Sequence, residues 1–267
     1  IAAMSTSQIG ALTPAQMGAL TVSQVGALTT TQLASMTNAQ FQGMSTAQIN
    51  ALTTSQAAGL TPVEISQLST TALAALKTGV LAILATDQIA ALTVDQVAGL
   101  GTTQLRVLTS TQVGALGIPQ IQALTTTQAA TLTTLQATGL STSQISSMET
   151  ADLAKLTPAT LAAFSTTQIG ALTGDQVANL TSSQLAALST TQLSNIGPLQ
   201  LQSLTTSQVT GLTSTQIAGL STAQIADLGT ANLAGLSTSV IPALTTAQVH
   251  ALTGDQIAAL TTSQFVK

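Results

Sequence analysis

An eight-residue repeat runs through the whole sequence without an insertion or a deletion, and it constrains the fold more than any other feature. Every eighth residue from Met4 to Leu260 is Leu, Met, Phe or Ile, which makes a column of 33 apolar residues. A second apolar column runs from Ile1 to Phe265 at the same step. A repeat this regular indicates one small structural unit that is stacked many times.

The positions of the two columns exclude both a single long helix and a flat strand. An eight-residue step advances an α-helix by about 80° beyond two full turns, so a continuous helix would spread each column around its surface. The columns are also separated by an odd number of residues, which would place them on opposite faces of a strand. Each octad must therefore contain a bend.

The residues between the columns predict where a helix begins in each octad. Ser or Thr follows the first apolar column in 26 of 33 octads, and Gln stands three residues later in 26 of 33. This is the spacing of a capping box, in which the hydroxyl accepts from the N3 amide and the N3 side chain accepts from the N-cap amide. Representative predicted capping pairs are Thr29 with Gln32, Thr125 with Gln128, and Ser141 with Gln144.

Prolines and charged residues agree with this helical interpretation. Four prolines fall at the first predicted helical position, where the missing N–H has no cost. These prolines are Pro14, Pro62, Pro158 and Pro198. Acidic residues concentrate in the cap or first turn, while Arg106, Lys155 and Lys267 lie near the predicted helix ends, as the helix dipole favours.

We therefore expect an all-α solenoid of very short capped helices, with two octads in each coil. A helix of about five residues is unstable alone in water, so its stability must come from stacking on neighbouring repeats. A β-solenoid is the alternative, because Thr, Val and Ile favour strands. The predicted core residues are represented by Leu12, Leu124, Leu172, Leu252, Ile9, Ile169 and Ile257.

The domain organisation predicted from this pattern is one continuous solenoid over residues 1–267, with about 33 octads. Departures from the octad recur every 80 residues, which defines a superrepeat of ten octads. The glutamine column fails at Ala72 and Val80, at Asp152 and Thr160, and at Asn232 and Val240. Duplication of an 80-residue unit explains this period, or the deviant octads line up as a lateral contact stripe. The columns are still running at both ends, which we expect for head-to-tail polymerisation or for a segment of a longer chain.

The composition excludes several classes of function. The chain has no cysteine and a single histidine, His250, so it offers no cluster for metal binding and no histidine-based catalytic pair. Its net charge of −4 gives no basic face for a nucleic acid. Polar residues interrupt every apolar stretch well before the length of about 18 residues that a membrane span needs. We expect no enzyme, no cofactor, no nucleic-acid partner and no membrane span.

The Ala-Leu-Thr-Thr-x-Gln-Ile-Ala octads resemble the octapeptide-repeat regions of large bacterial extracellular and surface proteins of the fibrillar or adhesin-like kind. The resemblance covers the whole sequence. It implies a structural protein outside the cell or on its surface, acting as a fibre subunit or a stalk segment that self-associates head-to-tail or laterally into filaments. The alternative function is an ice-binding or adhesive surface that presents rows of Thr, such as Thr30–Thr31 and Thr126–Thr127.

One sequence motif suggests a glycan. Asn179, Leu180 and Thr181 match the N-glycosylation sequon. Leu180 belongs to a predicted buried column and Thr181 to a predicted cap, so the match also agrees with chance.

Overall fold

The structure, a computed structural model, describes residues 1–266. These residues form α-helices of four to six residues and one short 3₁₀ helix, and they contain no β-strand. The predicted all-α solenoid of very short helices is confirmed, and the β-solenoid alternative is wrong. The predicted position of Lys267 near a helix end lies outside the described residues.

Contacts divide the chain into two compact units, Ile1–Thr131 and Leu132–Lys267. The single continuous solenoid over residues 1–267 stays a prediction. In the first unit α1 to α16 are Thr6–Gly10, Pro14–Gly18, Val22–Gly26, Thr30–Leu33, Asn38–Gln42, Thr46–Asn50, Thr54–Ala58, Pro62–Gln67, Thr70–Ala75, Thr78–Leu81, Thr86–Ala90, Val94–Ala98, Thr102–Arg106, Ser110–Gly114, Ile118–Gln122 and Thr126–Ala129.

The helices of the second unit follow the same eight-residue step. From α17 to α29 they are Thr134–Gly139, Thr142–Ser147, Thr150–Leu153, Pro158–Ala162, Thr166–Gly170, Gly174–Ala178, Ser182–Ala186, Thr190–Leu193, Pro198–Gln202, Thr206–Thr210, Ser214–Ala218, Thr222–Asp227 and Thr230–Gly235. The 3₁₀ helix Ile241–Ala243 comes next, and α30 to α32 are Thr246–Ala251, Gly254–Ala259 and Thr262–Phe265.

Two extended residues form the corner between consecutive helices. After α8, Leu68 has φ −61° and ψ 138°, and the next N-cap, Ser69, has φ −63° and ψ 153°. The Ser69 hydroxyl then accepts from the Ala72 amide at 3.1 Å and starts α9. The four prolines predicted at N1 are the first residues of α2, α8, α20 and α25.

The coil is larger than the two octads that the sequence suggested. Within each unit a helix packs on the helix three octads later, as α6 does on α9 and α26 on α29. Side-chain hydrogen bonds reach 28 to 31 residues back, to the junction of the octads three and four earlier. A coil therefore holds between three and four octads. Two octads per coil would need a full reversal after each helix, but the corner is extended backbone, and no described non-glycine residue has a positive φ.

Three columns fill the interior of each unit. The N4 residues Ile9 and Ile169 are fully buried, and Leu124 and Leu172, which precede N-caps, are 4% and 3% exposed. The third column is the N3 glutamine, which is 1–7% exposed wherever an earlier coil packs on it. The glutamine column is thus as much a part of the interior as the apolar ones.

Three predicted core residues are less covered than expected. Leu12 and Leu252 are half-buried, and Ile257 is 44% exposed. They lie in the first coil of one unit and the last coil of the other, where only one side of the coil is covered within residues 1–266. The prediction that Ile257 belongs to the core is wrong for this reason.

Candidate functional site

The glutamine column forms hydrogen bonds at both ends of its carboxamide. Gln96 Oε1 accepts from the Thr93 amide at 2.7 Å, which closes the capping box of α12. Its Nε2 donates to the carbonyl oxygens of Ile65 at 2.9 Å and Leu68 at 2.7 Å, in the preceding coil. One buried side chain therefore caps its own helix and binds the coil before it.

The three representative capping pairs all have reciprocal hydrogen bonds. The distance from the N-cap amide to the glutamine Oε1 is 2.8 Å for Thr29 with Gln32, 2.8 Å for Thr125 with Gln128, and 2.6 Å for Ser141 with Gln144. The return bond to the N-cap hydroxyl is 3.2 Å in each pair. Gln32 also donates to the carbonyl of Met4 at 2.7 Å, and Gln128 to that of Leu100 at 2.8 Å.

The sequence contained a signal for this second role. A capping box works with Gln or Glu, and the helix dipole favours the charged residue in the first turn. The chain nevertheless has Gln at 26 of these positions and Glu only at position 64. Only the amide offers both an acceptor and donors, so the bias reflects the carbonyl groups of the preceding coil.

Shorter polar residues of the superrepeat keep part of this bridge. Thr160 Oγ1 donates to the Leu132 carbonyl at 3.1 Å, and Asn232 Nδ2 donates to the Leu204 carbonyl at 2.9 Å. Both acceptors lie 28 residues earlier, which is the register of the glutamine bonds. Neither side chain reaches the amide of its own N-cap, because each is shorter than glutamine.

Asp152 replaces glutamine with a carboxyl group. The residue is 3% exposed, and its Oδ2 has no hydrogen-bond partner among the described residues. Burial, with a smaller contribution from the Glu149 carboxylate, raises the pKa of Asp152 from 3.8 to about 6. A protonated carboxyl can donate a hydrogen bond, so burial favours the form that resembles the amide.

The other sequence-predicted sites remain separate from this column. Asn179, the candidate glycosylation residue, is exposed, and its Nδ2 donates to the Asp175 carbonyl at 2.8 Å. Leu180 is buried and Thr181 caps α23. His250 is exposed on α30. Within residues 1–266, no group of three or more His, Cys, Asp or Glu residues is placed to hold a metal ion.

The described helices are also too short for a membrane span: none in residues 1–266 is long and apolar enough to cross a bilayer. What the glutamine column can do chemically is join one coil to another of the same kind. It pairs an amide donor on one face of a coil with carbonyl acceptors on the facing side of the next.

The comparisons with known proteins agree with this repeat architecture. The ALTTAQ repeat family matches residues 1–22, 25–62, 65–102, 95–126, 145–182 and 225–262, which together span well over half of the chain. A search of curated proteins found none that matches it. The octad, its capping box and the glutamine column all fall inside these matched segments, and the chain belongs to the ALTTAQ repeat family.

Proposed function

We propose that this chain is a structural protein, a fibre subunit or stalk segment outside the cell or on its surface, which extends by stacking coil on coil. The observation that carries this proposal is the polarity of each coil. Glutamine amides point donors to one side, and backbone carbonyls present acceptors on the other. The resemblance of the octads to repeats of bacterial surface proteins supports the extracellular placement.

The first coil presents unpaired donors. Gln8, Gln16 and Gln24 are exposed, and each Oε1 accepts from the amide of its own N-cap at 2.8 Å. Among the described residues, none accepts a hydrogen bond from their Nε2 groups. These three amides therefore have the free donors that later glutamines use to bind a preceding coil.

The last described coil presents the complementary surface. Within residues 1–266, no side chain donates to the carbonyls of Leu244 and Leu252, whose equivalents accept from glutamine elsewhere. Val249, Ile257 and Phe265 are 47%, 44% and 70% exposed, although their column is almost fully buried in the interior coils. Another coil of the same kind would cover these apolar side chains, and burial of each would contribute on the order of 1–2 kcal/mol.

Electron microscopy and sedimentation of the full chain test the proposal. We expect filaments of constant width whose assembly rises with concentration. The triple variant Gln8→Glu, Gln16→Glu, Gln24→Glu keeps the capping acceptors but removes the free donors. It should remain folded and lose the filaments.

A charge-matched control uses the same three helices. Ser7→Glu, Ala15→Glu and Ser23→Glu place acids at exposed N2 positions, where Asp87 and Asp95 occur naturally. This variant should still assemble. Monomers of the wild-type chain at all concentrations, or equal loss of assembly in both variants, would contradict stacking through the glutamine amides.

The alternative of an ice-binding threonine surface has weaker support. Thr30, Thr31, Thr126 and Thr127 are exposed, as that function requires. The same exposed N1 and N2 columns, however, also carry large apolar residues. Among them are Val22, Val94, Ile118, Leu135 and Leu199, which are 48%, 43%, 41%, 66% and 79% exposed. These interruptions favour the structural role.

A further inference from the structure

A cavity of about 240 Å³ lies where the first superrepeat lacks its glutamine. Ala72 occupies the glutamine position and lines the cavity together with Phe41, Met44 and Ser69. Ala72, Phe41 and Met44 are buried, while Ser69 is exposed and marks the side open to solvent. The space is larger than the roughly 30 Å³ that one water takes in the liquid.

The cavity keeps the hydrogen-bonding groups that a glutamine would use. By the register of Gln96, these groups are the Ser69 N–H, three residues before position 72, and the carbonyls of Phe41 and Met44, 31 and 28 residues before it. Within residues 1–266, no hydrogen bond uses the Ser69 N–H or the Met44 carbonyl. The Phe41 carbonyl accepts from the Met44 amide at 3.1 Å, as the Ile65 carbonyl accepts from Leu68 while also binding Gln96.

We propose that this cavity is a binding site for a primary carboxamide, carried by a small molecule or by a glutamine side chain of a second copy of this chain. The amide oxygen accepts from the Ser69 N–H, and the NH₂ group donates to the Met44 and Phe41 carbonyls. The ligand thus replaces the side chain that position 72 does not supply.

Other ligand chemistries match only half of the site. An ammonium ion would pair with the two carbonyls but leave the Ser69 N–H without an acceptor. A carboxylate would accept from Ser69 but face two carbonyl oxygens. A buried polar group without a partner carries a penalty, so the combination of one donor and two acceptors selects a neutral primary amide.

The equivalent position in the third superrepeat shows the same preference for an amide. Asn232 lies two superrepeats after Ala72, and its carboxamide donates to the Leu204 carbonyl at 2.9 Å. Leu204 has the same register there as Met44 has at the Ala72 cavity. The chain therefore places an amide of its own against this acceptor where the side chain is long enough to reach it.

Methionine-methyl NMR of the full chain tests the site, since Met44 lines the cavity and Met148, in the other unit, provides an internal reference. The probe is propionamide, which matches the glutamine side chain beyond its Cα. For so small a ligand we expect affinity on the order of millimolar. The Met44 resonance should shift saturably while that of Met148 stays unchanged.

Ala72→Gln is the decisive variant, because it restores the octad consensus and fills the cavity from within. It should fold as the wild type does and lose the propionamide-dependent shift of Met44. Propionate and N,N-dimethylpropionamide should produce no saturable shift. The proposal is overturned if Met44 does not respond to propionamide, if it responds equally in Ala72→Gln, or if the dimethylated amide binds as well.

A second arm separates the two sources of the amide. The experiment uses the Gln8→Glu, Gln16→Glu, Gln24→Glu background, in which end-to-end stacking is removed, so its outcome does not depend on the proposed function. If this chain dimerises and Ala72→Gln or propionamide abolishes the dimer, the amide comes from a second copy. If it stays monomeric while Met44 shifts, the ligand is a free amide.

Discussion

Gln96 Nε2 lies 2.7 Å from the carbonyl oxygen of Leu68, a residue 28 positions earlier in the chain. The Oε1 of the same carboxamide caps the helix that contains Gln96. Helix formation in one octad is therefore coupled to docking on the preceding coil. Because this bond recurs throughout both units, stability should be shared between neighbouring coils, as in other solenoids.

Gln96→Glu tests this coupling directly. Glutamate keeps the acceptor for the Thr93 amide but has no donor for the Leu68 carbonyl, and it leaves a buried charge unpaired. We expect a loss of about 3 kcal/mol in the free energy of unfolding, measured by urea denaturation. Gln122→Glu, on an exposed position, is the control and should change stability by less than about 0.5 kcal/mol. Equal losses would contradict the bridging role.

Glu64→Gln should have the opposite effect. Glu64 is buried, and its Oε2 accepts from the Thr61 amide at 2.6 Å. An amide there gains donors for the carbonyls of Leu33 and Met36, which lie 31 and 28 residues earlier. Stability should rise by about 1 kcal/mol, seen as a higher melting temperature. An unchanged or lower melting temperature would show that this octad does not use the common register.

Two neighbouring threonines should respond differently to alanine. Thr125 caps α16 by accepting from the Gln128 amide at 3.2 Å, whereas Thr126 is exposed at N1. Thr125→Ala should cost about 1 kcal/mol. Thr126→Ala should be almost neutral, because alanine also has a high helix propensity. Thermal denaturation of the two variants measures the difference, and the reverse order would place the corner elsewhere.

Gly43 marks a close approach between coils. A Cβ at Gly43 would lie 2.5 Å from the carbonyl oxygen of Pro14, a backbone atom that cannot move without shifting α2. Gly43→Ala should therefore destabilise the first unit by about 2 kcal/mol. Gly26, which also ends a helix in this unit, has nothing within 4 Å of such a Cβ. Gly26→Ala should be neutral or stabilising by up to about 1 kcal/mol, and chemical denaturation would compare the two.

The raised pKa of Asp152 predicts a pH dependence of stability. In the unfolded chain this carboxyl group has a pKa of 3.8, and in the folded chain a pKa of about 6. Between these values the folded state holds a proton that the unfolded state has lost, so stability falls as pH rises through the window. The total decline should be on the order of 2–3 kcal/mol.

Asp152→Asn removes the titration and supplies an amide donor. Its urea midpoint should stay level across this pH window and exceed that of the wild type at neutral pH. Asp95→Asn, at an exposed first-turn position, should keep the wild-type decline. If Asp152→Asn declines in the same way, the pH dependence has another origin.

The sequence by itself determined the helices and their boundaries. Capping by Thr93 and Gln96, proline at N1 in α8, and the helix ending near Leu68 depend on groups three or four residues apart. Interactions at this range occur within one octad, so an ordered repeat reveals them. The apolar columns likewise showed that the octads must stack, because helices this short need neighbours.

Only the tertiary structure decided how the octads stack. The angle at each corner sets the number of octads in a coil, and a small difference at Leu68 and Ser69 accumulates over several corners. That number then selects which carbonyl faces Gln96, and so gives the glutamine its partners 28 and 31 residues earlier. The exposure of Ile257 and the cavity beside Ala72 also follow from this stacking, because both depend on which coil lies against them.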